Sequence, residues 1–284
     1  MTSGPMVLDG RRIVVTGATS GLGEAMARAL LGAGAAVGVA ARPGARLEDA
    51  VRRLEHDGLR GTGGPGGGRS RVLALPVDVR DPESVTTASG RAIDVFGGVD
   101  MVVNNAGIGM RTVNPRFFEH AQPFYDVEPS AFNDVVATNL AGYFLVARAF
   151  ARHYLARGGG RFVNVSINRE TMVRVGFVPY GPSRAASEAL SMVMTEDLRP
   201  HGVAVNVLLP GGATDTGMIP ETLPLASRTS LLDPSIMGPP AVFLASDEAD
   251  GLTGARIVAS EFDQWVEQYR AAGRSGTGRA AGQQ

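Results

Sequence analysis

Apolar positions along the chain fall into two regimes. Short continuous apolar runs occur at Arg12–Thr16, Ala36–Ala40, Val72–Val77, Met101–Asn104, Arg161–Ser166, Val203–Leu209 and Ala255–Ala259. They are rich in valine and do not alternate with polar residues, the mark of strands buried on both faces. Between them, Leu22–Ala33, Ala45–Asp57, Pro82–Phe96, Pro129–Arg157, Ser183–Arg199 and Pro239–Ala245 carry apolar residues at helical spacing. Strands alternating with helices predict a parallel sheet covered on both faces, and right-handed crossovers make it doubly wound. The expected fold class is α/β: a doubly wound seven-stranded parallel sheet in three αβα layers, a single domain over residues 1–270. The Gly-rich string Gly58–Ser70 has no means of burying a core and reads as a surface loop. The polar end, Ala271–Gln284, reads as a disordered tail.

Composition narrows the function. The chain has 284 residues and a net charge of −1, with no basic surface for nucleic acid and no polybasic membrane patch. Cysteine is absent, which excludes disulfides and thiolate metal sites, and the four histidines show no ligand spacing. No apolar run reaches the ~18 residues of a membrane span. The opening MTSGPMVLDGRR is too short and polar for a signal peptide, so a cytoplasmic protein is expected. Lysine is also absent: all 27 basic residues are arginine. That points to a coding bias, and makes an arginine at a position that favours lysine readable as drift.

The chemistry is carried by short strings at predicted strand ends. TGATSGLG, Thr16–Gly23, follows the first strand and opens the first helix. Alone it is a glycine turn; between strand and helix it is a dinucleotide-phosphate cradle. Gly17 allows the tight turn, Gly21 lets backbone approach a pyrophosphate, and Gly23 lets the helix sit close to the sheet. Thr19, Ser20 and Leu22 complete the set beside the helix N-terminus. At the end of the second strand stand Ala41 and Arg42, where an acid would bind the ribose of NAD. A guanidinium suits a 2′-phosphate, which favours NADP(H) over NAD(H); the plain alternative is a surface arginine. Asp78 and Val79 end the third strand, and Asp78 is placed to accept from an adenine amino group. In NNAG, Asn104–Gly107, Asn104 is expected to tie backbone groups between strands, with Asn105, Ala106 and Gly107 at the cofactor.

In YGPSR, Tyr180–Arg184, a phenol and a cation sit one helical turn apart. Such a pair is commonly a solvated surface pair. In a cleft, the cation stabilises a phenolate and fits the phenol for acid–base work.

These strings, together with Asn139 in ATNLAGYF, Ser166 in RFVNVS and PGG at Pro210–Gly212, resemble the short-chain dehydrogenase/reductase superfamily in its single-domain branch, from about Leu8 to Val258. The resemblance implies a Rossmann fold, a nicotinamide cofactor, an Asn-Ser-Tyr-Lys catalytic set, and a homodimer or homotetramer built on the two long middle helices. Tyr180 matches the acid/base. Asn139 matches the residue that holds a water and kinks its helix. Pro210 and Gly211 match the loop beside the nicotinamide, with Thr214 or Thr216 near its carboxamide. The segment 212–237 matches a mobile substrate lid. Two positions depart. The lysine is Arg184, which stays cationic but is bulkier and does not give up a proton. The serine, 13 residues before the tyrosine in the family, is Ile167 here, and Ser166 stands one residue earlier. The two point to opposite faces if the strand continues. Ser166 is the candidate, with Thr171 or Asn168 as substitutes.

The extended stretch between Gly107 and Asn139 carries Phe117, Phe118, Phe124 and Tyr125, either an apolar substrate wall or the packing of a long loop. The expected function is an NADP(H)-dependent oxidoreductase interconverting a carbonyl and an alcohol on a small, apolar molecule. The altered serine and lysine positions keep a rival: a cofactor-binding protein with lost or non-redox activity, an isomerase or dehydratase, or a structural partner of a homologue.

Overall fold

The computed structural model describes residues 6–60, 70–220, 222–224 and 228–274. Of the expected Gly-rich loop, 58–60 instead finish the helix that begins at Ala45, and 61–69, like the end of the tail, 275–284, lie outside the described residues. Seven strands form one parallel sheet: β1 (Arg12–Thr16), β2 (Ala36–Ala41), β3 (Val72–Pro76), β4 (Met101–Asn104), β5 (Gly160–Val165), β6 (Val203–Leu209) and β7 (Arg256–Val258). Their order is β3-β2-β1-β4-β5-β6-β7. The chain winds outward from β1 to β3, then crosses back to lay β4 against β1, pairing Ile13 with Met101 and Val15 with Val103. The reversal opens a crevice at the C-terminal ends of β1 and β4, where such sheets bind ligands.

The helices are α1 (Gly21–Gly32), α2 (Ala45–Arg60), α3 (Pro82–Phe96), α4 (Pro129–Val136), α5 (Gly142–Arg157), α6 (Arg169–Met172), α7 (Tyr180–Leu198), α8 (Gly238–Ala245) and α9 (Phe262–Arg274). One apolar core joins the sheet to α1, α2, α8 and α9 through Met26, Leu30, Leu54, Phe243 and Phe262. The other joins it to α3, α5 and α7 through Ala92, Phe150, Tyr154 and Leu198. Local signals set the helix ends: Asp81 caps α3 by accepting from the Glu83 N–H, Pro82 opens it, and Gly97 closes it in the left-handed conformation.

Three further boundaries differ from those the sequence predicts. The helix expected over Pro129–Arg157 is divided by a π-helical turn at Ala137–Ala141 centred on Asn139, the residue at which the resemblance implied a kink. The helix expected from Ser183 begins at Tyr180, so the phenol sits on its first turn. Ala271–Arg274 belong to α9, whose Phe262, Trp265 and Tyr269 pack on Phe243 with ring centroids 5.5–5.7 Å from it. No helix among the described residues is long and apolar enough to cross a membrane.

Opposite the crevice, Asp100 just before β4 ties three elements together. It accepts from the Arg12 N–H at 2.8 Å and Nη2 at 2.7 Å, and from Arg157 Nη2 of α5 at 2.9 Å. Burial pushes its carboxyl up, but the bonds from Arg12 and Arg157 outweigh burial and hold it at about 2. Because this pKa is depressed on folding, the stabilisation is complete above about pH 4 and is lost as pH falls through about 2. Asp100→Asn is expected to cost about 2 kcal/mol at pH 7, from a shift of nearly two units, and much less at pH 2, read by denaturant unfolding at both values.

Candidate active site

The turn Thr16–Gly23, expected to cradle phosphates, is built from contacts only glycine permits. Gly17 (φ +66°) carries no side chain because a Cβ there would lie 2.8 Å from Ala106 Cα. A Cβ on Gly23 would lie 2.3 Å from the Gly17 carbonyl oxygen. The turn thus folds back on the start of α1, whose first N–H groups lack intrahelical partners and suit an anion. Thr16 and Asn105 fasten it to the next strand. Thr16 Oγ1 donates to the Val103 carbonyl and accepts from the N–H groups of Asn105 and Ala106, at 2.9 and 3.0 Å. Asn105 Nδ2 donates to the carbonyls of Thr16 and Gly17. The interstrand tie expected of Asn104 is therefore made by Asn105. Asn104 pairs with the Asn164 side chain at 2.9 Å, inside a buried polar chain that continues to Ser191.

Along the crevice, Arg42 is exposed at the end of β2. Asp78 is held by Arg80, with Nη2 at 2.6 Å. Its carboxyl lies below the usual range because of Arg80 first, and the charge of Arg42 adds to the effect. Val79 is buried against Gly142, where a Cβ would approach its Cγ2 to 2.9 Å.

Asn139, fully buried in the π-turn, clamps the far wall. Its Oδ1 accepts from the Ile108 N–H at 2.9 Å, while Nδ2 donates to the Ile108 carbonyl at 3.0 Å and to Ser183 Oγ at 3.2 Å. Ser183 in turn donates to the Tyr180 carbonyl at 2.7 Å. One amide side chain therefore fixes both the loop after β4 and the first turn of α7. Tyr180 is half-buried, and Arg184 is buried beside it, its Cζ 5.6 Å from the Tyr180 ring centroid. Burial works against the Arg184 charge, but the oxygens of Tyr143 and Tyr180 outweigh it and hold its pKa above the ordinary value.

Ser166 lies directly after the end of β5. Its N–H continues the pairing with Leu208 at 2.9 Å, and its buried Oγ has no partner. Strand alternation carries past Val165, so Ser166 turns inward while Ile167 is half-exposed. Asn168 donates to the Gly211 carbonyl at 2.9 Å, and Thr171 is half-buried on α6.

The far side is closed by the segment after β6. Pro210 is buried, and Gly211 (φ +95°) packs so closely on Ser260 that a Cβ would overlap its Oγ. Thr214 is buried and bridges to Leu232. Thr216 lies on the phosphate turn, its Cγ2 placed 3.1 Å from where a Gly21 Cβ would be. Arg111 Nη1 reaches across to the Gly217 carbonyl at 3.0 Å, and Met218 lies against Gly109. The segment therefore spans the crevice from the turn to the loop after β4.

The model of the short chain dehydrogenase family matches residues 11–224. The chain is a short-chain dehydrogenase/reductase. It is 29% identical over 256 residues to 5-keto-D-gluconate 5-reductase of Escherichia coli K12, covering 87% of this chain and 92% of that protein. Its fold matches a gluconate 5-dehydrogenase from Burkholderia cenocepacia in complex with NADP and tartrate, with a TM-score of 0.76, 26% identity, and 92% and 98% of the two chains covered. It also matches a 3-ketoacyl-(acyl-carrier-protein) reductase from Brucella melitensis complexed with NADH, with a TM-score of 0.74, 27% identity, and 88% and 97% covered. A short-chain dehydrogenase/reductase acts on a CH–OH/C=O pair with a nicotinamide nucleotide, and the glycine cradle, free helix N-terminus and NNAG loop of this one fit such a cofactor.

Gly107 has an added constraint here. A Cβ there would lie 2.3 Å from Arg184 Nη2 and 3.1 Å from Asn139 Oδ1. Gly107→Ala must displace the guanidinium, and overpacking of this kind costs about 1–3 kcal/mol. That loss is expected in the denaturant midpoint of Gly107→Ala and absent in Gly90→Ala, where a Cβ meets nothing.

Proposed function

We propose that the protein is an NADP(H)-dependent oxidoreductase that interconverts a carbonyl and an alcohol on a small molecule with an apolar body, using Tyr180 as the acid/base. The carrying observation is the position of Tyr180: on the first turn of α7, against a buried cation, at the edge where the phosphate turn opens. The bound nicotinamide would supply or accept the hydride. Tyr180 would hand its hydroxyl proton to the carbonyl oxygen, or take one from the alcohol in reverse. Arg184 would balance the phenolate left behind, and Asn139, through Ser183, would keep the ring at its station. Thr214 and Thr216 would orient the cofactor on the lid side, with Asn105, Ala106 and Gly107 beneath it.

NADP(H) preference rests on Arg42, an exposed cation at the end of β2 with alanine before it and no acid to take a ribose 2′-hydroxyl. An apolar substrate is supported by the loops flanking Tyr180. Phe117 packs on Phe118 and on Phe177, three residues before Tyr180, with centroids 4.4 and 5.7 Å apart. Phe124, Tyr125, Val173 and Val175 are exposed at 70–84% on the same loops. Phe144, Met192 and Val193 on the outer faces of α5 and α7 are 48–66% exposed, which supports a homodimer or homotetramer built on these helices. A second reading rests on Ser166: with its hydroxyl turned inward and Ile167 in its place, a cofactor-binding protein without redox turnover is the alternative.

A panel of cyclic and aliphatic ketones, set beside 5-keto-D-gluconate, separates these readings. Turnover of an apolar ketone with NADPH is expected; preference for the keto acid would reject the apolar reading, and no turnover at all would favour the second. Tyr180→Phe should reduce turnover at least ~100-fold, the low end for general acid–base catalysis, with cofactor binding retained. Arg42→Ala should weaken NADP(H) by about 1.5–3 kcal/mol, the worth of a hydrogen bond to a charged group, and leave NAD(H) unchanged in calorimetry.

A further inference from the structure

Arg184 is buried without a carboxylate: its hydrogen-bond acceptors are a phenol and a main-chain carbonyl. Nη1 donates to Tyr143 Oη at 2.6 Å and to the Val165 carbonyl at 3.0 Å. Tyr143 Oη donates its own proton to the same carbonyl at 3.1 Å. The three atoms close a ring in which both hydrogens of Nη1 are used. The guanidinium carbon also lies 5.3 Å from the Tyr143 ring centroid, within cation–π range. Burial pushes the Tyr143 phenol up, so it stays protonated and keeps its proton on Val165. With Nη1 consumed on this side, Nη2 is turned against Gly107, towards the floor of the crevice.

We infer that Tyr143 is a positioning residue for Arg184: its hydroxyl fixes the guanidinium plane so that Nη2 serves beside Tyr180, where the family resemblance places a lysine amine. This inference rests on the reading of Tyr180 and Arg184 given above. A phenylalanine would fill the same volume on α5, so the hydroxyl is needed only by Val165 and the guanidinium. A lysine at 184 has one nitrogen and cannot satisfy Tyr143 Oη and the Val165 carbonyl while also standing over Gly107. In an Arg184→Lys chain, the Tyr143 hydroxyl competes for the ammonium and draws it off station. The pocket is thus fitted to a guanidinium, and Arg184→Lys should lower the rate.

The test compares the parent, Tyr143→Phe, Arg184→Lys and the double variant, each read by kcat and KM with the best ketone of the panel and by NADPH affinity from fluorescence titration. In the parent background, Tyr143→Phe should lower kcat about tenfold, the low end for losing a hydrogen bond to a charged group, with ketone KM unchanged. In the Arg184→Lys background the same change should leave kcat level or raise it. NADPH affinity should show the same dependence on background. An equal loss in both backgrounds would assign Tyr143 a merely structural role, and no loss in the parent would leave it none; either overturns the inference. Tyr180→Phe is measured alongside. If it leaves turnover intact, the acid/base reading fails, while the NADPH titrations still decide whether Tyr143 and Arg184 are coupled. If Tyr143→Phe does not fold, 3-fluorotyrosine at position 143 keeps the ring and hydroxyl while weakening the oxygen as an acceptor. It should lower kcat in the Arg184 chain only, and an unchanged kcat there again overturns the inference.

Discussion

A buried guanidinium with no carboxylate to meet it is the constraint around which the crevice is arranged. Removing such a charge from water costs several kcal/mol unless its N–H groups find acceptors. Here the acceptors come from two elements: the last carbonyl of β5 and a phenol on α5. The volume comes from a third, because Gly107 in the loop after β4 has no side chain to oppose Nη2. The helix that carries Arg184 also carries Tyr180 on its first turn, so fixing the cation against β5 and α5 fixes the phenol at the sheet edge.

Asn139 solves the complementary problem of joining the loop after β4 to α7. An asparagine in a regular helix would spend its amide on local backbone. The π-turn swings it out of the helical repeat, and both ends of the amide then reach Ile108 in the loop after β4. Its remaining N–H reaches Ser183, and through it the backbone of Tyr180. Thr16 and Asn105 perform the same office between β1 and β4. At the C-terminal edge of the sheet, these side chains are thus spent on tying chain ends together, while Tyr180 stays half-buried on the first turn of α7.

Much of this was legible in the sequence, for physical reasons that also mark where legibility ended. The seven strands are buried on both faces and show as unbroken apolar runs, and the glycines of Thr16–Gly23 show because no other residue fits the turn. Tyr180 and Arg184 stood out by spacing. The inward turn of Ser166 was left open because it depends on whether pairing with β6 continues past Val165, which is a matter of register and not of residue type. The resemblance implied a kink at Asn139, but its π-helical form was not legible because Ala137–Ala141 has ordinary helical spacing. The last helix was missed although Phe262, Trp265 and Tyr269 carry helical spacing, since the polar residues between them blend into the tail that follows. The role of Asn104 was misassigned to the wrong member of an identical pair; alternation along β4 sends Asn104 towards Asn164 and leaves Asn105 free to fold back on the turn.

The lysine-free composition bears differently on Arg184 in the light of this packing. A coding bias explains why any basic position holds arginine, and on the surface the exchange is nearly free because water satisfies the extra donors. Arg80, Arg199 and Arg270 are of that kind, paired with acids at the surface. Inside a closed pocket the same exchange adds buried N–H groups and a wider plane, and no bias provides acceptors for them. The Val165 carbonyl was available at the end of β5 whatever residue stood opposite. The Tyr143 hydroxyl was not: it is a side-chain choice on another helix, 41 positions earlier in the chain. Drift accounts for the cation and leaves the phenol that receives it unexplained, so the pair is read as one adaptation and not as a lysine site that merely tolerates a substitute.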